Sequence, residues 1–375
     1  MADPYEHADA LPDGHARGRG AQLNPGNRYE AVRLHVLGEH LDRIAVDEDE
    51  SREVRTEVFR DRSKSLINPV DSPDLPFKWS INPYRGCEHG CVYCYARPDH
   101  ERLGFSCGLE FETKILAKVD APALLRKELS RPSWVGEPIM MAGVTDCYQP
   151  IERKLRITRQ CLEIMTACRQ PVSIVTKNRL VVRDVDLLKA LAKHGAARVA
   201  VSVTTLDAKL SAAMEPRASS PGERLDAIRR LSDAGVPVAV MVAPVIPGLN
   251  DRQMPDVLRA AADAGATSAG YVMLRLPHQI KTLFADWLGR HCPDRAGRVM
   301  SLVRQMHGGR LYDSTFRHRQ RGSGAVAEQI GQMFDVLGRR FGLRNVRQCG
   351  QSLRSAAFER PSAPDRSGQM NLFSA

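Results

Sequence analysis

Three cysteines, Cys87, Cys91 and Cys94, stand at the spacing C-x3-C-x2-C inside W-S-I-N-P-Y-R-G-C-E-H-G-C-V-Y-C-Y-A-R-P-D-H (79–100). Thiolates this close converge on one soft metal centre when the chain bends back between them. Gly86 and Gly90 supply permissive backbone where the bend is tightest. Common structural zinc and iron–sulfur sites use four ligands, and only three thiolates are offered here. A cubane [4Fe–4S] cluster held by three cysteines leaves one iron open to an external ligand. The alternative is a zinc knuckle completed by His89 or His100. Zinc ligands more often come as two pairs separated by a longer loop. Here all three cysteines fall within eight residues, with Tyr93 directly before the last, which favours the iron–sulfur reading.

Further polar residues emerge at the ends of apolar runs. A-G-V-T-D-C-Y-Q-P-I-E (142–152) offers the hydroxyl of Thr145, the carboxylate of Asp146 and the thiol of Cys147; Asp146 serves equally well as a helix cap. S-I-V-T-K-N (173–178) brings Lys177 out of an apolar strand, a costly placement unless the cation meets an anion. Ser202 closes another apolar run, and M-E-P-R (214–217) follows with Arg217, suited to a bidentate bond with a carboxylate or to a surface ion pair. A-P-V-I-P-G-L-N-D (243–251) carries Ile246 and Gly248, and Y-V-M-L-R-L-P-H (271–278) carries Tyr271 and Arg275. Cys161 and Cys168, within a helical pattern, read as small core residues.

The elements that must position these residues alternate. Strands are predicted at 79–81, 109–116, 138–142, 172–176, 198–204, 236–242 and 269–274. Helices are predicted at 122–129, 151–168, 185–193, 223–234 and 255–264, from apolar spacing and glycine or proline punctuation. Alternating strands and helices imply right-handed crossovers and a parallel α/β sheet. Ligands in such folds sit at the carboxyl ends of the strands, where every motif above falls. Beyond them, 299–306 and 325–341 read as helices.

The 375 residues are 43% hydrophobic and 26% charged, as in globular proteins. The formal charge of +10 favours polyanionic partners, nucleic acid first. No apolar run approaches the roughly 18 residues needed to cross a membrane. The polar N-terminus and sparse cysteines fit a reducing cytoplasm. We divide the chain into an arm (1–72), a core domain (73–290), a helical extension (291–354) and a tail (355–375). The arm, with R-G-R-G-A-Q-L-N-P-G-N-R-Y-E (17–30), reads as disordered, the alternative being packing on the core or contact with nucleic acid. Residues 355–368 read as a flexible linker.

The cysteine run resembles the defining motif of the radical S-adenosylmethionine (radical SAM) enzymes. That resemblance implies an open, partial (β/α)6 barrel, a [4Fe–4S] cluster on Cys87, Cys91 and Cys94, and S-adenosylmethionine chelated at the fourth iron. It places Tyr93 near the adenine, Thr145 and Asp146 near the methionine amino group, and Lys177 or Arg217 near its carboxylate. Ser202 joins the cofactor pocket, and Ile246 and Gly248 lie at the adenine. It also implies reductive cleavage to a 5′-deoxyadenosyl radical and an electron donor such as flavodoxin or ferredoxin. With N-P-Y-R-G, C-Y-A-R-P, G-V-T-D-x-Y-Q-P-x-E and T-K-N, the likeness narrows to the spore photoproduct lyase-like branch, in particular the PA-0069 or Rv-2578c family. Spore photoproduct lyase repairs a thymine dimer in DNA with a cysteine just ahead of the hydroxyl–carboxylate pair. Gly143 holds that place here and Cys147 follows the pair, so either Cys147 donates hydrogen or the reaction is not dimer repair. The expected substrate is nucleic acid; modification of a protein or small molecule, or a non-catalytic iron–sulfur or zinc adaptor, are the alternatives. Q-M-N-L-F (369–373) is similar to the pentapeptide by which bacterial repair proteins dock on the β sliding clamp, with Leu372 and Phe373 filling an apolar pocket.

Overall fold

The structure is a computed structural model that describes residues 11, 15–29, 52–346 and 353–361. Six parallel strands form its centre: β1 (Trp79–Ile81), β2 (Ile139–Met141), β3 (Val172–Thr176), β4 (Ala197–Ser202), β5 (Val238–Val245) and β6 (Ser268–Met273). Each pairs in parallel with the next, so spatial order follows chain order. Asn68–Pro69 adds antiparallel at the β1 edge and Arg344–Asn345 parallel at the β6 edge, leaving an open arc. Strands covered on both faces read as nearly unbroken apolar runs, and β3, β4 and β5 are buried along most of their length.

Helices α1 (Ala121–Leu129), α2 (Ile157–Ala167), α3 (Val185–Ala192), α4 (Pro221–Asp233) and α5 (Met254–Asp263) return the chain between strands. Their apolar faces close one core with the sheet. Ser220 and Glu223 cap α4 reciprocally, which starts it two residues before the predicted point. Helix α6 (Ile280–His291) closes the core domain, and the extension adds α7 (Pro293–Met306) and α8 (Gly324–Arg340).

Four expectations need correction. Residues 109–116, predicted as one strand, form a short helix, Leu109–Thr113, followed by a strand, Lys114–Ala117. That strand belongs to a separate small sheet, parallel to Glu57–Arg60 and antiparallel to Tyr84–Arg85. The alternation L-E-F-E-T imitates a strand, but Glu112 is drawn into the interior by Arg97 and by the Gly20 and Ala21 amides. The predicted 151–168 helix breaks at Arg156, φ 54°. Glu152 turns back there and accepts the Thr158 amide at 3.1 Å, capping α2 from within.

The other two corrections concern the ends of the described chain. Residues 15–29 are packed on the core: Arg19, Gly20 and Ala21 are buried, and Leu109 donates its amide to Leu23 O at 3.2 Å. Residues 353–361 dock beneath the sheet. The Arg354 amide reaches Gly195 O at 3.0 Å, the Glu359 amide reaches Cys168 O at 2.9 Å, and Phe358 covers Gly136. Gln369–Phe373 lie outside the described residues.

Candidate active site

The cysteine loop leaves β1 through Tyr84–Arg85 and is tied down at its start by the Cys87 amide donating to Phe111 O at 2.9 Å. Gly86 and Gly90 adopt φ of 76° and 68°, the left-handed turns foreseen on either side of Cys87. Val92 donates its amide to Met214 O at 3.1 Å, and Arg97 Nε donates to Cys91 O at 2.9 Å. Cys87 and Cys91 are buried and Cys94 is partly so. Burial pushes all three thiols upward; for Cys87, Asp146 and the other two thiols add to the shift. Sulfurs that raise one another's pKa, as Cys91 and Cys94 do for Cys87, are a donor set that a cationic centre would stabilise. The loop therefore fits a cluster.

Both ring nitrogens of His89 are engaged elsewhere: Nδ1 faces Asp146 Oδ2 at 3.3 Å and Nε2 faces Asn178 Nδ2 at 3.2 Å. His100 is packed against the rings of Phe105 and Phe111, and burial lowers its pKa to about 4.

Lys177, just past β3, points across the strand ends. Its Nζ donates to Ala243 O at 3.1 Å, stands 3.4 Å from Glu215 Oε1, and lies 5.8 Å from the centre of the Tyr93 ring. Glu215 is fully buried and accepts from the Tyr93 hydroxyl, from Arg224 and, at 2.6 Å, from Thr204 Oγ1. Burial works against its charge, but Arg224 and Lys177 with these hydrogen bonds hold the carboxyl well below the usual range. Sequence reasoning singled out M-E-P-R for Arg217 and passed over Glu215. The signal available was an acid placed directly after a helix, Ala208–Met214, that packs beneath the loop.

The remaining expected residues divide. Asp146 accepts from Thr176 Oγ1 at 2.9 Å, Lys177 N at 2.7 Å and Tyr148 N at 2.9 Å, and joins His89 to the ends of β2 and β3. Burial opposes its charge, yet His89 and these amides lower its pKa. Thr145 Oγ1 donates to Tyr84 O at 2.7 Å, which fixes the turn after β2. Ser202 is buried at the end of β4, where its carbonyl accepts from Arg224 at 3.1 Å. Arg217 faces Glu88 at 3.4 Å, the ion pair among its two readings. Ile246 is buried with its amide on Asn250 Oδ1 at 2.7 Å. Gly248, φ 80°, turns toward Leu302 of α7, whose Cδ1 would lie 3.0 Å from an added Cβ. Cys147 is not at the mouth: its side chain is buried in the core, and burial with Asp146, Glu152 and Asp184 pushes the thiol well up. Instead Tyr95, 45% exposed, stands at the opening, its hydroxyl donating to Gly143 O at 2.5 Å.

Comparison with known proteins agrees with this geometry. The profile of the Radical SAM superfamily matches residues 81–261, from the end of β1 into α5. The Mycobacterium tuberculosis protein Rv2578c is 37% identical over 245 residues, 64% of this chain and 72% of that one. The chain belongs to the radical SAM superfamily. Protein MJ0683 of Methanocaldococcus jannaschii is 31% identical over 197 residues, covering 52% of this chain and 71% of that protein. Among solved structures, spore photoproduct lyase complexed with dinucleoside spore photoproduct superposes with a TM-score of 0.55 at 18% identity. The match covers 77% of this chain and 80% of that one, a likeness of fold.

As a radical SAM enzyme the protein uses a [4Fe–4S] cluster and S-adenosylmethionine, and it requires an electron donor. The donor set fits: two buried thiols and a partly buried one in a single loop, with the charges of Arg97 and Lys177 favouring the thiolate of Cys94. No helix among the described residues is long and apolar enough to cross a membrane.

Proposed function

We propose that this radical SAM enzyme acts on nucleic acid, with DNA the first candidate, and that Cys87, Cys91 and Cys94 hold its cluster. Bound together, cluster and S-adenosylmethionine supply a radical able to take a hydrogen atom from a substrate. The chain's own residues do the rest. Lys177 offers a cation to the methionine carboxylate, Tyr93 presents a ring beside it, and the buried side chains of the strand ends limit access of water.

The observation that carries the nucleic-acid reading is the rim beside Tyr95. Segment 307–322, H-G-G-R-L-Y-D-S-T-F-R-H-R-Q-R-G, contains four arginines and one acid. It is anchored at the carboxyl end of β6, where His307 Nε2 lies 3.3 Å from Leu274 O. Arg321 stacks 3.8 Å from the centre of the Tyr271 ring, and Arg275 lies 5.0 Å from that of Tyr95. Arg310, Arg317 and His318 are exposed, and Phe316 is 48% exposed among them. Cations interleaved with an aromatic at the mouth suit phosphates and an unstacked base. The likeness in fold to spore photoproduct lyase complexed with dinucleoside spore photoproduct supports the same reading. A clamp-binding role for Gln369–Phe373 would place the enzyme among DNA-processing proteins.

The test is DNA binding against salt concentration. We expect Arg310→Gln with Arg317→Gln to weaken DNA binding and to flatten the salt dependence by about two phosphate contacts. Release of 5′-deoxyadenosine without substrate should be unchanged. A wild-type protein with no salt-sensitive affinity for DNA would overturn the proposal.

A further inference from the structure

The segment 15–29 lies against the back of the cysteine loop and grips it from two sides. On one side, Gly20 N and Ala21 N donate to the Glu112 carboxylate at 2.9 and 2.8 Å. Glu112 also accepts from Arg97 at 2.5 Å, and Arg97 Nε donates to Cys91 O at 2.9 Å. Arg97 is wholly buried, and its remaining donors meet Cys107 O at 3.2 Å and Gly108 O at 2.9 Å. On the other side, Arg19 donates to Thr56 Oγ1 at 3.1 Å, which donates to Glu88 Oε1 at 2.7 Å, next to Cys87. Between the two, Gly20 presses on the loop itself. A Cβ there would fall 1.9 Å from Gly90 O, a separation no side chain can meet.

We infer that this segment is a working part of the cluster site: a latch in which Arg19, Gly20 and Glu112 hold the cysteine loop in its ligating conformation. They are positioning residues, acting through Arg97 on Cys91 and through Thr56 and Glu88 on the Cys87 side. The loop's own backbone bonds are isolated turns, Gly90 N to Cys87 O at 3.4 Å and Cys94 N to Cys91 O at 3.2 Å, so outer partners must supply further constraint. The segment supplies it with two hydrogen-bond relays and one backbone-to-backbone contact. Its further contacts keep it in place: Asn27 Nδ2 to Glu101 O at 2.7 Å, the Arg28–Glu101 ion pair at 2.7 Å, and Gln279 Nε2 to Gly26 O at 2.7 Å.

The inference rests on the loop holding the cluster, and the experiment separates the two ideas. Amide hydrogen exchange is followed in the cluster-free full chain for wild type, Arg19→Ala, Gly20→Val, Glu112→Gln and the exposed-site control Arg17→Ala. The three latch variants should speed exchange across residues 86–95 several-fold while β3 and the control stay at the wild-type rate. In reconstituted protein they should keep about four irons but alter the electron paramagnetic resonance spectrum of the reduced cluster and shorten its lifetime in air several-fold. Unchanged exchange at 86–95 in Arg19→Ala and Glu112→Gln overturns the latch, as does equal acceleration throughout the barrel. If Gly20→Val fails to fold, those two variants decide. A wild type that takes up no iron but shows the exchange pattern refutes the cluster and leaves the latch standing.

Discussion

Lys177 and Arg224 bring two positive charges to Glu215, which carries one negative charge. The surplus cation sits beside Tyr93 at the strand ends, where an anionic ligand would complete the balance. Lys177→Ala should therefore weaken S-adenosylmethionine binding about tenfold to a hundredfold, the scale of a lost charge-assisted hydrogen bond. Iron content should be unchanged, whereas Cys87→Ala, Cys91→Ala or Cys94→Ala should each lose the cluster. Titration calorimetry with iron analysis checks both; unaltered affinity would assign Lys177 to the substrate or to structure. The sequence exposed Lys177 because a lysine ending an apolar strand demands an anion. It hid Glu215 because the partners that make its burial tolerable come from the cysteine loop, β3, β4 and α4, far apart in the chain. Cys147 is buried for a related reason: the pattern sets a residue at a strand end, but the neighbouring core decides whether its side chain turns in.

At the level of elements, the strands from β2 to β6 were legible because each is an apolar run bounded by helix caps and turns. Between β1 and β2 the helix predicted at 122–129 is found as α1, but the stretch 109–117 was not legible. There the chain builds a small sheet from segments on either side of the cysteine loop, and no local period announces that pairing. The short helix Arg97–Leu103 in this region carries a testable charge effect. His100 is buried between Phe105 and Phe111, and burial lowers its pKa from 6.5 to about 4. The folded state therefore binds fewer protons than the unfolded state between these values, so stability present above pH 6.5 is lost as pH falls toward 4. The full loss is of the order of 3 kcal/mol. In cluster-free protein, urea midpoints should fall between pH 7 and 4.5, and His100→Phe should lessen that fall while leaving the carboxylates to titrate as before. An identical pH profile in the variant would show that His100 titrates alike in the folded and unfolded states.

Across the whole molecule, the two ends of the strands are put to different uses. The carboxyl ends carry the cysteine loop, Lys177 and the arginine rim. The amino ends receive residues 353–361, which bind the turns leading into β2, β3 and β4 through Phe358, Glu359 and Arg354. Composition could not distinguish this docked strap from a linker, since its anchors are two backbone bonds, the Arg169–Glu359 ion pair, the bonds from Arg360 to Pro132 O and Trp134 O, and one aromatic ring, all with partners remote in the chain. Its last described residue, Pro361, is thus fixed on the side away from the mouth. Seven residues lie between Pro361 and Gln369, and the eight steps from one to the other reach at most about 28 Å when extended. A partner held by Leu372 and Phe373 would then stand off the lower face and leave the rim open to nucleic acid. We expect a peptide of residues 366–375 to bind the purified β sliding clamp with an affinity near micromolar, about −8 kcal/mol, and Leu372→Ala with Phe373→Ala to abolish it. Full-length protein should bind clamp and DNA together, because the two surfaces do not compete. Competition between them would refute the opposed-face arrangement, and failure of both peptide and full chain to bind the clamp would remove that partner altogether.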